Sequence, residues 1–285
     1  MSIVSISAEA VLHTANTLRP GLHDLVQLSR LLQKSSVDLD EVTSRMKRDP
    51  ALTARLIRIA NSAAFAEVEP VASVEDAVAL IGFREVHRIV GFAMLEHFGD
   101  ENLEVYGISA QKFRDNSLFC AILMEELAVN ANVDPRSCYT VGLLRSIGKV
   151  CLDRLGRDYK GIYLPRLSDD VGLEDWENAV FGMTSNKVAG TVLSTWRFPG
   201  DFISAIKNHY KPDPQHEALT HLLSLAASMA DILGYGLEGE GRYWLEPEEV
   251  YHKAGLDPRQ ANLIIDHAFE SFNRLLLTIG AHVPA

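Results

Sequence analysis

The chain has 285 residues, 47% of them hydrophobic and 23% charged, with a formal net charge of -11. These values suit a soluble globular protein with a large core, organised as one large domain or two smaller ones. The acidic balance repels nucleic acid and anionic membrane surfaces, so neither is expected as a partner. The N-terminal MSIVSISAEAV lacks a basic segment followed by an apolar block, so no signal peptide is expected. No apolar run approaches the roughly 20 residues that span a bilayer. Cys120, Cys138 and Cys151 are odd in number and far apart, which reads as reduced thiols in a cytoplasmic protein.

Hydrophobic periodicity is helical nearly throughout, and an all-α fold is expected. Helices are expected over 8–16, 22–34, 39–48, 50–62, 74–81, 84–98, 110–131 and 135–155, then over 173–181, 185–197, 200–210, 216–233, 247–254 and 258–278. Asp-Pro pairs at Asp49, Asp134, Asp213 and Asp257 each offer a carboxylate cap followed by a proline suited to the first helical position. Ser73-Val74-Glu75-Asp76 resembles a capping box, and Thr184 is placed to open the helix that holds Val188, Val192 and Trp196. The Gly-rich, acidic stretch from Gly234 to Gly241 reads as a mobile loop. A soft boundary at 99–108 divides two lobes of one packed unit.

Two segments carry chemistry. Leu143 to Val150 reads LLRSIGKV, and Asp49 to Phe65 reads DPALTARLIRIANSAAF, followed by Ser73-Val74, Ala77-Val78 and Ile81-Gly82-Phe83. Later come Glu177 with Gly182-Met183-Thr184, then Ser194-Thr195-Trp196-Arg197-Phe198-Pro199, Ala205-Ile206-Lys207-Asn208-His209-Tyr210 and Ala230-Asp231. Together these blocks closely resemble the HDOD family (HD-related output domain) from about Leu18 to Leu233. The octet resembles the segment in which HD metal phosphohydrolases carry their His-Asp doublet.

The resemblance implies a multi-helical HD-like core with an N-terminal helical lobe. Its divisions are an N-terminal helix over 1–17, an HDOD domain over 18–233 and, over 234–285, an acidic loop with C-terminal helices. The HDOD domain itself has lobes at about 18–98 and 109–233. It also implies that the metal site is vestigial. Arg145 and Ser146 stand in the doublet positions, and Ser185 stands where a His follows Thr184. His209 is kept from a His-His pair, with Tyr210 second; Asp231 is kept, and Asp115-Asn116-Ser117 stands where HD enzymes often place a His. An arginine cannot ligate a cation, and two remaining ligands fall short of the three that a catalytic divalent site usually needs. No metal and no cofactor is therefore expected.

Each residue has a plainer reading. Arg145 is either a surface arginine sharing a polar face with Lys149, or a guanidinium in the metal's place that pairs with Asp231 or Glu177. His209 and Asp231 read more readily as locally bonded groups than as ligands. Asn61-Ser62 reads as a helix terminator. Arg45, Lys47, Arg48, Arg84 and Arg88 could face an acidic partner, or simply solvent. There is no G-x-S-x-G elbow, Walker A loop or dinucleotide fingerprint. By resemblance, the expected function is a non-catalytic bacterial signalling adaptor that contacts a kinase, diguanylate cyclase or response regulator. A metal-dependent phosphohydrolase with an atypical site is the alternative.

Overall fold

The computed structural model describes residues 6–17, 22–32, 34, 36–62, 65, 70–159, 161–165, 171–244, 251, 254 and 256–280. The N-terminal lobe is built from α2 (Leu22–Leu32), α3 (Leu39–Met46), α4 (Pro50–Ala60), α5 (Val74–Ile81) and α6 (Phe83–Phe98). The central lobe follows as α7 (Ala110–Ala131), α8 (Pro135–Leu144), α9 (Ile147–Gly156) and α10 (Leu173–Phe181). It continues through α11 (Ser185–Thr195), α12 (Gly200–Asn208) and α13 (Ala218–Ala230). Among the described residues the only β feature is an isolated antiparallel bridge between Leu103 and Ile108.

Local chemistry sets the helix starts as the sequence suggests. Asp49 and Asp134 accept backbone N–H bonds at the heads of α4 and α8, with Pro50 and Pro135 next in line. Asp257 caps a short 3-10 turn, Pro258–Gln260, that leads into α14 (Ala261–Ile279). Asp213 instead folds a tight turn, its N–H donating to His216 Nδ1 at 2.8 Å. Ser73 accepts the Asp76 N–H, and Thr184 opens α11. Asn61 ends α4 without the left-handed backbone that its residue type allows (φ -88°). It does so through its amide, which exchanges bonds of 2.8 Å in both directions with the backbone of Val71.

The two lobes share one core. Leu103, Val105, Tyr106 and Ile108 of the connecting segment are buried, and the Val105 N–H donates to Asp153 Oδ1. The N-terminal helix α1 (Ala8–Thr17) lies on α9 and α11 of the central lobe, and α14 packs on α7 while touching α4. The stretch Ala218–Tyr235 is long and apolar enough to cross a membrane, but two thirds of it is buried against the other helices, as in a core helix. All three cysteines are free and buried.

Two expectations need correction. The helix expected over 135–155 is interrupted: α8 stops at Leu144, Arg145 and Ser146 form a turn, and α9 starts afresh at Ile147. The turn re-aims α9 so that Gly148 meets α11 backbone to backbone; a Cβ at Gly148 would lie 1.9 Å from the Ser185 carbonyl oxygen. The stretch from Gly234 to Gly241 is not a free loop. A π-turn, Asp231–Tyr235, leads into a strap, residues 236–244, in which Leu237, Glu240 and Tyr243 are buried. The helix expected over 247–254 falls largely outside the described residues.

The close approach at Gly148 makes a prediction. Gly148→Ala forces α9 and α11 apart and should destabilise the fold by about 3 kcal/mol or more. A urea melt checks this; a loss within about 0.5 kcal/mol of zero contradicts the packing.

Candidate functional site

Arg145 sits in the turn between α8 and α9, only 2% exposed. Its Nη1 donates to Glu240 Oε2 at 2.7 Å, and its Nη2 donates to Asn116 Oδ1 at 2.6 Å. One helical turn on, Lys149 Nζ donates to Glu240 Oε1 at 2.7 Å and to the Tyr210 hydroxyl at 2.8 Å. The Tyr210 hydroxyl in turn donates to Glu240 Oε1 at 2.7 Å. One carboxylate from the strap therefore holds two buried cations and a phenol. Asn116 orients Arg145 and anchors the root of the strap, its Nδ2 donating to the Tyr235 carbonyl.

Aromatic rings close the site. Tyr243 stacks on Tyr210 with ring centres 4.4 Å apart, and Trp244 lies over the Arg145 guanidinium at 6.0 Å. His209 is fully buried beside Tyr210. Its Nδ1–H donates to the Ile206 carbonyl, which turns the Nε2 lone pair toward Arg145 Nη1 at 3.5 Å. This pairing is the neutral tautomer. Burial, then the Arg145 charge, push its pKa down to about 3. Burial alone would raise the Glu240 carboxyl, but Arg145 and Lys149 together bring it down to about 2.

The other positions singled out in the sequence divide into two groups. Glu177 is buried next to this cluster, accepting from the Tyr106 hydroxyl at 2.9 Å and the Ser185 N–H at 2.7 Å. Burial raises its carboxyl, and the Lys149 charge partly offsets that. Asp231, at the end of α13, is raised by burial and by Glu240. Neither carboxylate bonds directly to Arg145. The expected pairing of Arg145 with Asp231 or Glu177 is thus replaced by a pairing with Glu240, a residue first read as part of a mobile loop. Lys149, first read as a surface neighbour, is 1% exposed. Only the i, i+4 spacing of Arg145 and Lys149 within an apolar helix hinted that two cations share one buried face.

Four of the five basic residues singled out in the sequence are ion-paired. Arg88 is 3% exposed and bonds Glu125 and Glu85, so it cannot meet a partner. Arg84 bonds Glu125 and Glu126, Arg45 bonds Glu41, and Lys47 bonds Glu75. Arg48 alone of the five is exposed with no carboxylate paired to it among the described residues. A separate surface cleft of about 510 Å³, lined by Phe92, Glu96, Arg114, Asp115 and Leu276, shares no residue with the Arg145 cluster.

A metal ion does not fit the residues present. The doublet positions offer a guanidinium and a hydroxyl. Among the described residues no group of three or more His, Cys, Asp or Glu is arranged to hold a metal. The fold and site together define a helical HD-like core with buried ion pairs at its centre.

The HDOD domain family model matches residues 20–212, and the chain belongs to that family. The match ends before α13, so Asp231 and the strap lie beyond it. Several solved structures share the fold. An HDOD domain protein from Geobacter sulfurreducens superposes with a TM-score of 0.66 at 19% identity, covering 96% of this chain and 98% of that one. A Shewanella amazonensis protein proposed to be a phosphohydrolase gives 0.68 at 19% identity, covering 95% and 97%. A Marinobacter aquaeolei protein proposed to act in signal transduction gives 0.70 at 20% identity, covering 96% of this chain and 65% of that one. No curated protein matches the sequence.

Two predictions follow from the charge arrangement. Arg145→Met leaves buried Glu240 with one cation instead of two and should cost about 3 kcal/mol. Glu240→Gln should cost less in the Arg145→Met background than in the unmodified chain, and a double-mutant cycle in urea reads that coupling; strictly additive losses contradict the pairing.

The second concerns pH. His87 is also buried and pushed down to about 3, by burial and then by Arg136. The unfolded chain binds protons at both imidazoles near pH 6.5, while the folded chain does not. Stability should therefore fall as pH drops below about 6.5, by about 1.4 kcal/mol per unit for each histidine. The raised carboxyls of Glu177, Asp231, Asp115 and Asp153 oppose this wherever the folded chain binds their protons first. Glu240 adds to the loss below its unfolded value of 4.5. Melting temperature should decrease between pH 6.5 and 5, and decrease less in His209→Gln; an identical pH dependence in the two proteins contradicts the buried neutral histidine.

Proposed function

We propose that this chain is a non-catalytic bacterial signal-transduction module that works in the cytoplasm by protein–protein recognition. The observation that carries this reading is the Arg145–Glu240 pair, buried at the position where the HD pattern places its metal-binding doublet. Hydrolysis by an HD centre needs an ion that lowers the pKa of a bound water and polarises the phosphoryl oxygen. Here two fixed cations and a strapped carboxylate take that space, and His209 spends both ring nitrogens on Ile206 and Arg145. The rigid helical body remains as the working part, a surface that other proteins read.

Family membership supports a signalling context, and one structural neighbour is itself proposed to act in signal transduction. Partners of the expected kind are a sensor kinase, a diguanylate cyclase or a response regulator, within cyclic-di-GMP or two-component pathways. The neighbour proposed to be a phosphohydrolase shares the fold at 19% identity, which bears on architecture and not on turnover.

Metal analysis of the purified protein, run beside a screen of phosphodiester and phosphomonoester hydrolysis, tests the reading. The expected result is metal well below one ion per chain and no turnover with added Mn²⁺, Fe²⁺ or Zn²⁺. Stoichiometric metal with turnover that disappears in Asp231→Ala overturns it in favour of a phosphohydrolase.

A further inference from the structure

The strap is fastened by side chains rather than by backbone. Among the described residues, the backbone hydrogen bonds of 236–244 run only within the strap, from Glu240 to Leu237, Tyr243 to Glu240 and Trp244 to Gly241. Its links to the body are Glu240, the buried Leu237 side chain, the Lys112–Glu238 ion pair, the Tyr243 hydroxyl on the Glu174 N–H, the Lys211 ammonium over the Tyr243 ring, and the aromatic stacking of Tyr243 and Trp244. Glu240 follows Gly239, which has φ +82°, and precedes Gly241. The segment can swing about glycines without breaking any helix or any backbone bond to the core.

What lies beneath it is a preformed anion cradle. Arg145, Lys149 and Tyr210 are each at least nine-tenths buried, and all three donate to the same two carboxylate oxygens. Two positive charges face one negative charge; Glu177 and Asp231 stand nearby without bonding to either cation. Two donors at the same turn are spare: the Arg145 Nε–H has no oxygen acceptor, and the Ser146 hydroxyl has no hydrogen-bond partner. A tetrahedral oxyanion carrying two charges and three terminal oxygens matches two cations and a surplus of donors better than a carboxylate does.

We propose that Arg145, Lys149 and Tyr210, with Ser146, form a binding site for a phosphoryl dianion that competes with the Glu240 side chain. Because the docked strap buries these donors, ligand entry and strap release are one event. A phosphate-bearing ligand thereby changes the surface that the strap presents around Glu238, Tyr243 and Trp244. The inference rests on the non-catalytic reading in one respect, that the bound phosphoryl group is held and not hydrolysed.

The test uses the full chain with inorganic phosphate and, separately, a nucleoside 5′-monophosphate; chloride at matched ionic strength is the control. Hydrogen exchange of 236–244 in the unmodified protein should rise with either phosphate ligand and not with chloride. Trp244 emission should shift in parallel. Glu240→Gln keeps the strap's shape and removes its charge, so it should bind phosphate about tenfold tighter than the unmodified protein. A response to the nucleotide alone assigns the site to phosphomonoesters, and a response to both assigns it to the phosphoryl group itself.

Exchange that does not change up to saturating concentrations of both phosphate ligands, or that responds equally to chloride, overturns the proposal. So does a folded Glu240→Gln that binds phosphate no better than the parent. If that variant does not fold, the exchange experiment on the unmodified protein decides alone. Product release from the monophosphate would instead sink the non-catalytic reading, and binding without release keeps both.

Discussion

The structure turns on one carboxylate. Glu240 places two oxygens among Arg145, Lys149 and Tyr210, and everything nearby is arranged so that this contact is possible. Two cations in a helical core are costly to desolvate, and the fold tolerates them only because a carboxylate and a phenol meet them at hydrogen-bond distance. The break between α8 and α9 aims Arg145 inward, Gly148 lets α9 lie against α11, and Asn116 fixes the guanidinium from the opposite side. The π-turn after α13 then returns the chain across the opening so that the strap can deliver Glu240.

This arrangement ties several helices together through one internal set of charges. A divalent cation at the centre of a helical bundle draws several helices together through their ligands. Here the same helices are tied by an internal alternation of charge: Arg145 from the α8–α9 turn, Lys149 from α9, Glu240 from the strap, with Glu177 of α10 alongside. Tyr210 and His209, at the end of α12, contribute a hydroxyl and a neutral ring. Arg145, Lys149 and Tyr210 depend together on Glu240, since without it two buried cations would share no carboxylate.

Much of this was legible from the sequence, for physical reasons that can be named. Helix starts at Asp49, Asp134, Ser73 and Thr184 were readable because capping is local chemistry, decided within four residues. The family blocks located Arg145, Asn116, His209, Tyr210, Asp231 and Glu177, and the structure gathers Arg145, Asn116, His209 and Tyr210 around one carboxylate. Glu240 was not readable: it lies 95 residues from Arg145, flanked by glycines in an acidic stretch that looks solvated. Local composition gives no sign that one acid of several turns inward. The break at Arg145 was missed for a related reason, since an apolar run from Cys138 to Leu152 reads as one continuous helix until the close packing of α9 on α11 is seen. Arg88 looked like surface because its partner Glu125 is distant in sequence.

The most direct measurement of the central claim is a crystal structure determined from crystals grown with Mn²⁺, using anomalous scattering to locate the ion. The account predicts Glu240 bonded to Arg145 and Lys149 and no anomalous peak within coordination distance of His209 or Asp231. An anomalous peak between those two residues, with Glu240 turned away from Arg145, would contradict it.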